Sequence, residues 1–208
     1  MYPWIESIAL RDGVIAHLMY HQSRINKTLS EQGSKANLDL RAYIASWFLP
    51  SSGLFKVRVV YNREQFVALS WDAYEPKRWQ GFELVEAADL RYPFKSANRA
   101  CLDELKEGIA DRELIITQQG FVTDTTYSNL VFKKNEEWFT PHTYLLPGTQ
   151  RRYLLDHNKI KETEITQSNL ASFTHFKLIN AMMPLSLAPT YSVELIHSSC
   201  RSFIPSRD

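Results

Sequence analysis

Residues 113–140, "ELIITQQGFVTDTTYSNLVFKKNEEWFT", constrain this chain more than any other stretch. They are rich in β-branched and aromatic residues and hold almost no helical periodicity. Gln119-Gly120 and the run "KKNEE" break the stretch into three predicted strands. Successive strands joined by short turns pair antiparallel, and no crossover helix fits between them. Three strands are therefore expected near the middle of the chain.

Helical and strand patterns are mixed elsewhere without strict alternation. "WIESIAL" (4–10) reads as a strand, Asp12-Gly13 as a hairpin turn, and "VIAHLMY" (14–20) as the return strand. His21, Arg24, Ile25, Thr28 and Leu29 recur at helical spacing, and Gly33 is a stop signal. A second helix is expected in "LDLRAYIASWFL", ended by Pro50. "FKVRVVYN", "EQFVALSWDAY" and "FELVEAA" read as strands, and "ANRACLDELKEGIA" as a helix. "TQRRYLLDHNKI" predicts a helix entered at Gly148-Thr149, "SFTHFKLINAMM" a strand, and "PLSLAPTYSVEL" a loop with an edge strand. The expected class is α+β with largely antiparallel sheets. The change of character near "DLRYPF" predicts a small α+β domain over 1–90 and a larger, mostly antiparallel β domain with helices over 91–208.

Charge and cysteine usage narrow the function classes. Lys and Arg number 24 and Asp and Glu 23, a net charge of +1. Such a balance lacks the footprint for nucleic acid or an anionic membrane, and neither is expected as a partner. Apolar runs such as "YIASWFLP" are too short to span a bilayer. The charged start "MYPWIESIALRDG" does not read as a signal peptide. Cys101 and Cys200 form neither a disulfide framework nor a metal spacing, which fits a reducing cytoplasm. The histidines show no ligand spacing, so no metal is expected.

Four segments are poorly explained as scaffold. Lys95 in "YPFKSANR" follows an aromatic run at the expected domain junction. Asp124 lies inside a strand-like run, where aspartate is depleted. "LPGTQRR" (146–152) puts a glycine at a helix entrance, whose free N–H groups suit an anion. "HQSR" puts His21 and Arg24 on one helix face. An amine, an acid and an anion site are what pyridoxal 5'-phosphate requires. Singly, each has a plainer explanation: a solvated lysine, a bulge residue, a helix cap, a structural histidine.

In their order, "ESIALRDG", "YHQSRINKT", "KVRVVYN", "FKSANR", "GFVTDTTYSNLVF", "FTPHTYLLPGTQR" and "FKLINAMMP" resemble the class IV aminotransferases. That family comprises fold-type IV pyridoxal-phosphate enzymes: branched-chain and D-amino acid aminotransferases and aminodeoxychorismate lyases. The resemblance implies a two-domain, D-amino acid aminotransferase-like fold and a homodimer acting on a small amino substrate. It implies that Lys95 is the Schiff-base and proton-transfer lysine and that Arg24 contacts the phosphate. Asp124 falls where the family has a glutamate facing the pyridine nitrogen. Thr149 and Gln150 fall on the phosphate loop, and Asn180-Ala181 on a second phosphate contact. Asp124 is shorter than glutamate, Gln150 replaces a threonine, and Ala181 lacks a hydroxyl. These departures leave open a degenerate dimeric relative that binds the cofactor weakly or not at all. "KSANR" looks more like the lysine-x-x-asparagine-arginine of the lyases than like branched-chain aminotransferases, and the short N-terminus also resembles compact lyase modules. The expected reaction is elimination of pyruvate from 4-amino-4-deoxychorismate to give 4-aminobenzoate, a step of folate biosynthesis, with transamination the alternative. Arg91 and Arg99 are candidates for depressing the amine's pKa. Tyr127, Asn129 and Asn98 are candidate pocket residues. Arg58 either serves the substrate carboxylate or pairs with an acid.

Overall fold

The computed structural model describes residues 3–109 and 111–203, without the side chains of 198–201. Met1, Tyr2, Ala110 and the Cys200 side chain lie outside the described residues. The chain divides into two compact units. The first runs through Pro76 and takes back Phe94–Asn98; the second is Lys77–Pro93 together with the chain from Arg99 onward. The division thus falls earlier than residue 90, and the Lys95 segment returns to the first unit after Lys77–Pro93, which belong to the second.

In the first unit, β1 (Trp4–Arg11), β2 (Val14–Ile15), α1 (Leu18–Glu31), α2 (Leu40–Ala45), β3 (Leu54–Tyr61) and β4 (Phe66–Ala73) build a four-stranded sheet of order β2-β1-β3-β4. Asp12 and Gly13 take φ of 47° and 78°, both left-handed, which is the turn that Asp-Gly favours. The return strand stops after Ile15, because His17 adopts a left-handed φ of 51° and α1 begins at Leu18. Helix α2 is capped by Asp39, whose side chain accepts from the Ala42 N–H at 3.0 Å. The core of this unit comprises Trp4, Ile8 and Leu10 of β1, Val57, Val59 and Tyr61 of β3, and Ile25 and Leu29 of α1.

The second unit contains β5 (Phe82–Glu86), α3 (Ala100–Leu105), β6 (Glu113–Gln118), β7 (Phe121–Thr125), β8 (Asn129–Lys134), β9 (Glu137–Pro141), α4 (Thr149–Asp156), β10 (Lys161–Thr163), β11 (His175–Ile179), β12 (Tyr191–Ser192) and β13 (Ile196–Ser202). They form a nine-stranded sheet with the path β10-β9-β8-β7-β6-β5-β13, while β11 pairs with β8 and β12. The meander β6-β7-β8-β9 is antiparallel, and β5 pairs parallel to both β6 and β13. Residues 113–140 therefore form four strands rather than three. The additional break falls at Thr126–Ser128, within "DTTYSN".

Candidate active site

The additional break is where the second unit's chemistry gathers. Between β7 and β8 the chain turns on Thr125, whose N–H donates to the Ser128 carbonyl at 2.8 Å and whose hydroxyl accepts from the Ser128 N–H at 3.1 Å. Buried Glu113 holds Thr126, accepting from its hydroxyl at 2.7 Å and its N–H at 3.2 Å. The other oxygen of Glu113 accepts from Lys106 Nζ at 2.8 Å. Arg99 donates to the Thr126 carbonyl at 2.8 Å, and Trp79 Nε1 donates to the Tyr127 hydroxyl at 2.8 Å. A turn held from three sides fixes the strand ends on either side of it.

Asp124 precedes this turn and is buried. Its Oδ2 accepts from the Leu145 and Leu146 N–H groups, each at 2.9 Å, and its Oδ1 accepts from Asn129 Nδ2 at 2.7 Å. Burial raises its pKa to about 6, against the lowering effect of the Leu146, Asn129 and Leu145 hydrogen bonds and of Arg151. Asn129 also donates to the Leu146 carbonyl at 3.0 Å. Its side chain fills the space beside Gly148: a Cβ there would lie 1.8 Å from Asn129 Oδ1. Gly148 is the N-cap of α4 and no side chain caps it. Thr149 and Gln150 are buried on the first turn, and Gln150 Oε1 has no partner among the described residues. Asn180 donates to Ser128 Oγ at 2.9 Å and accepts from the Met182 and Met183 N–H groups, so Ala181 sits in a tight turn. Asp124, Thr149, Gln150, Asn180 and Ala181 thus belong to one linked cluster, joined through Asn129, Ser128 and Gly148.

Arg24 and Lys95 lie in the first unit. Glu6 of β1 is fully buried and receives Arg24 through Nε at 2.9 Å and through Nη2, together with His21 Nδ1 at 2.6 Å. Burial pushes the Glu6 carboxyl up, but the Arg24 charge and the His21 and Arg24 hydrogen bonds outweigh it and hold the pKa at about 2. Lys95 lies alongside the start of β1. Its carbonyl accepts from the Ile5 N–H at 2.9 Å, Ser96 bridges to Trp4, and the Ala97 N–H donates to Pro3 at 2.8 Å. His21, expected as a structural helix residue, is fully buried on Glu6. Arg58 sits mid-β3 opposite Ser7 and Ser70, on the face away from Val57 and Val59. Arg91 donates to the carbonyls of Ala88 and Leu90.

Sequence reasoning passed over Glu6, Glu113, Ser128 and the structural part played by Asn129. The signal for the two glutamates was present, since each is an acid within an apolar strand-like run, as Asp124 is. The donors present fit a phosphorylated pyridine. The uncapped entrance of α4 offers N–H groups to an anion. Asp124 accepts three bonds where a carboxylate has about four sites, which leaves room for a ring N–H⁺ donor. Such a cation would also lower the pKa that burial raises.

The family model for class IV amino-transferases matches residues 4–187. The chain belongs to the class IV aminotransferases and is a pyridoxal-phosphate-dependent enzyme of the fold-type IV, α+β architecture. An uncharacterised protein of Haemophilus influenzae is 33% identical over 187 residues, covering 88% of this chain and 98% of that one. The structure of a Haemophilus somnus protein, provisionally assigned as a 4-amino-4-deoxychorismate lyase, is 34% identical with a TM-score of 0.79, covering 89% of this chain and 98% of that one. The Escherichia coli branched-chain amino acid aminotransferase shares the fold at 14% identity and a TM-score of 0.65, covering 94% and 76% of the two chains. Among the described residues, no helix is long and apolar enough to cross a membrane.

Proposed function

We propose that this enzyme eliminates pyruvate from 4-amino-4-deoxychorismate to give 4-aminobenzoate, serving folate biosynthesis in the cytoplasm as a homodimer. The observation that carries the lyase reading is the 34% identity, over nearly the full length of both chains, to the Haemophilus somnus protein provisionally assigned to that activity. In this reading Lys95 would hold the cofactor through its amine and, when free, would move the substrate proton. Arg24, the N–H groups and Thr149 at the entrance of α4, Gln150, and the Asn180-Ala181 turn take the phosphate. Asp124 takes the ring nitrogen. The bound cofactor supplies an electron sink for charge developing on the substrate. Glu6 keeps Arg24 oriented, and Asn129 with the Leu145 and Leu146 N–H groups keeps Asp124 ionised and in place.

The test has two arms. Incubation with 4-amino-4-deoxychorismate should release equal amounts of pyruvate and 4-aminobenzoate, and Lys95→Ala should abolish both. Incubation with amino acids and 2-oxoglutarate should release no glutamate. Glutamate without 4-aminobenzoate would make the enzyme an aminotransferase instead. Sedimentation at micromolar concentration should give twice the chain mass of 24.2 kDa.

A further inference from the structure

A cleft of about 450 Å³ opens within the second unit, between the loop after β5, the β6–β7 turn and the segment after β9. That size suits a small organic ligand. None of Asp124, Thr149, Gln150, Asn180 and Ala181 lines it. No aspartate or glutamate lines it either, and Arg91 is its one arginine or lysine. Arg91 Nη1 donates to the Ala88 and Leu90 carbonyls at 2.8 and 3.0 Å, and no acid pairs with the guanidinium among the described residues. A cation oriented by two bonds and lacking a counter-ion is ready to take a carboxylate. Gln119 stands beside it at φ 53°, followed by Gly120 at φ 80°. Two-residue turns of this kind favour Asn, Asp or Gly at the first position, so the turn does not account for a glutamine. We propose that this cleft binds a planar aromatic carboxylate: Arg91 takes the carboxylate, the Phe121 and Tyr144 rings flank the ligand ring, and the Gln119 amide bonds a polar substituent on it.

The walls are held by contacts of their own. Glu86 accepts from the Gln119 N–H at 2.7 Å, which fixes the backbone that presents the amide. Gln118 Nε2 donates to the Ala87 and Leu90 carbonyls at 3.1 and 2.8 Å and so ties the loop after β5 to β6. Phe121 meets His142 edge-on, with 5.8 Å between ring centroids, and Tyr144 carries the Arg151 guanidinium 4.7 Å from its ring centre. A largely pre-formed cleft with few polar groups among rings is the usual form of a small-molecule site. A single cation matches one negative charge and would leave a phosphate partly unmatched. The aromatic side chains favour a flat ring through offset or edge-on contacts.

The probe is 4-aminobenzoate, titrated into ¹⁵N-labelled protein in saturating pyridoxal phosphate. The Gln119, Gly120 and His142 amide resonances should move along one saturable curve with a Kd below about 1 mM. Arg91→Gln should weaken binding about tenfold or more, the worth of a hydrogen bond to a charged group. Gln119→Gly suits the turn better than glutamine does, so it folds, and it should weaken binding about threefold. The uncharged methyl ester of the probe should bind about tenfold more weakly than the acid. Shifts confined to Thr149, Gln150 and Ala181, no saturation by about 10 mM, or equal affinities in the wild type and both variants would overturn the proposal. The readout is binding and not turnover. Failure to form 4-aminobenzoate from 4-amino-4-deoxychorismate therefore overturns the lyase reading and leaves this one standing.

Discussion

At the scale of single residues, one side chain in each unit fixes its neighbours: Asn129 in the second and Glu6 in the first. Asn129 occupies the volume that any Cβ at position 148 would need. Gly148→Ala should displace Asn129, break its 2.7 Å bond to Asp124, and cost about 1–3 kcal/mol, read from the denaturant midpoint. Glu6 is the counter-ion of a guanidinium that is itself 10% exposed. Glu6→Gln should cost about 3–5 kcal/mol at neutral pH, because Arg24 keeps its charge and loses its buried counter-charge. The pH dependence has a definite sign. The folded pKa of Glu6, about 2, lies below its ordinary 4.5, so the group stabilises above 4.5 and loses that contribution as pH falls towards 2. Asp124 runs the other way. Its folded pKa of about 6 lies above the ordinary 3.8, so the apoprotein loses stability as pH rises through that window. Melting curves of wild type and Glu6→Gln between pH 2 and 7 should converge at the acid end.

At the scale of elements, the strand that matters most is β1, because it carries Glu6 on its buried side and the Lys95 segment along its start. Ala97→Pro removes the donor to Pro3 and should cost about 1 kcal/mol overall, while hydrogen exchange of the Ile5 amide accelerates well beyond that of the β3 amides. Most elements were legible in the sequence. Asp12-Gly13 announced its hairpin, and Gly148-Thr149 announced the start of α4. The turn at Thr126–Ser128 was hidden, since threonine and tyrosine read as strand formers and the bonds that bend the chain come from Glu113, Arg99 and Trp79, remote in sequence. The same distance hid the Asp124 site. Its acid was conspicuous within the strand, but nothing local indicated that Leu145 and Leu146 would turn their N–H groups onto it. The strand expected over 14–20 ended early because a left-handed His17 carries no sequence signature.

At the scale of the whole molecule, the chain passes between its units at Pro76/Lys77, Pro93/Phe94 and Asn98/Arg99. Phe94 packs against the first unit's core, so that unit is incomplete without a piece of chain that arrives late. A fragment ending at Pro76 should melt well below the same fragment carrying residues 94–98 on a flexible glycine-serine tether, as followed by circular dichroism. The boundary expected near residue 90 reflected the composition of "DLRYPF", which marks a crossing point but cannot reveal that the chain crosses again.

That late return bears on how such a protein can be recombined. A single splice at Pro76, moving the small sheet onto a foreign partner, would leave Lys95 behind with the donor. Chimeras of this fold must therefore carry two inserts, or inherit a lysine seated against a sheet with which it never co-evolved.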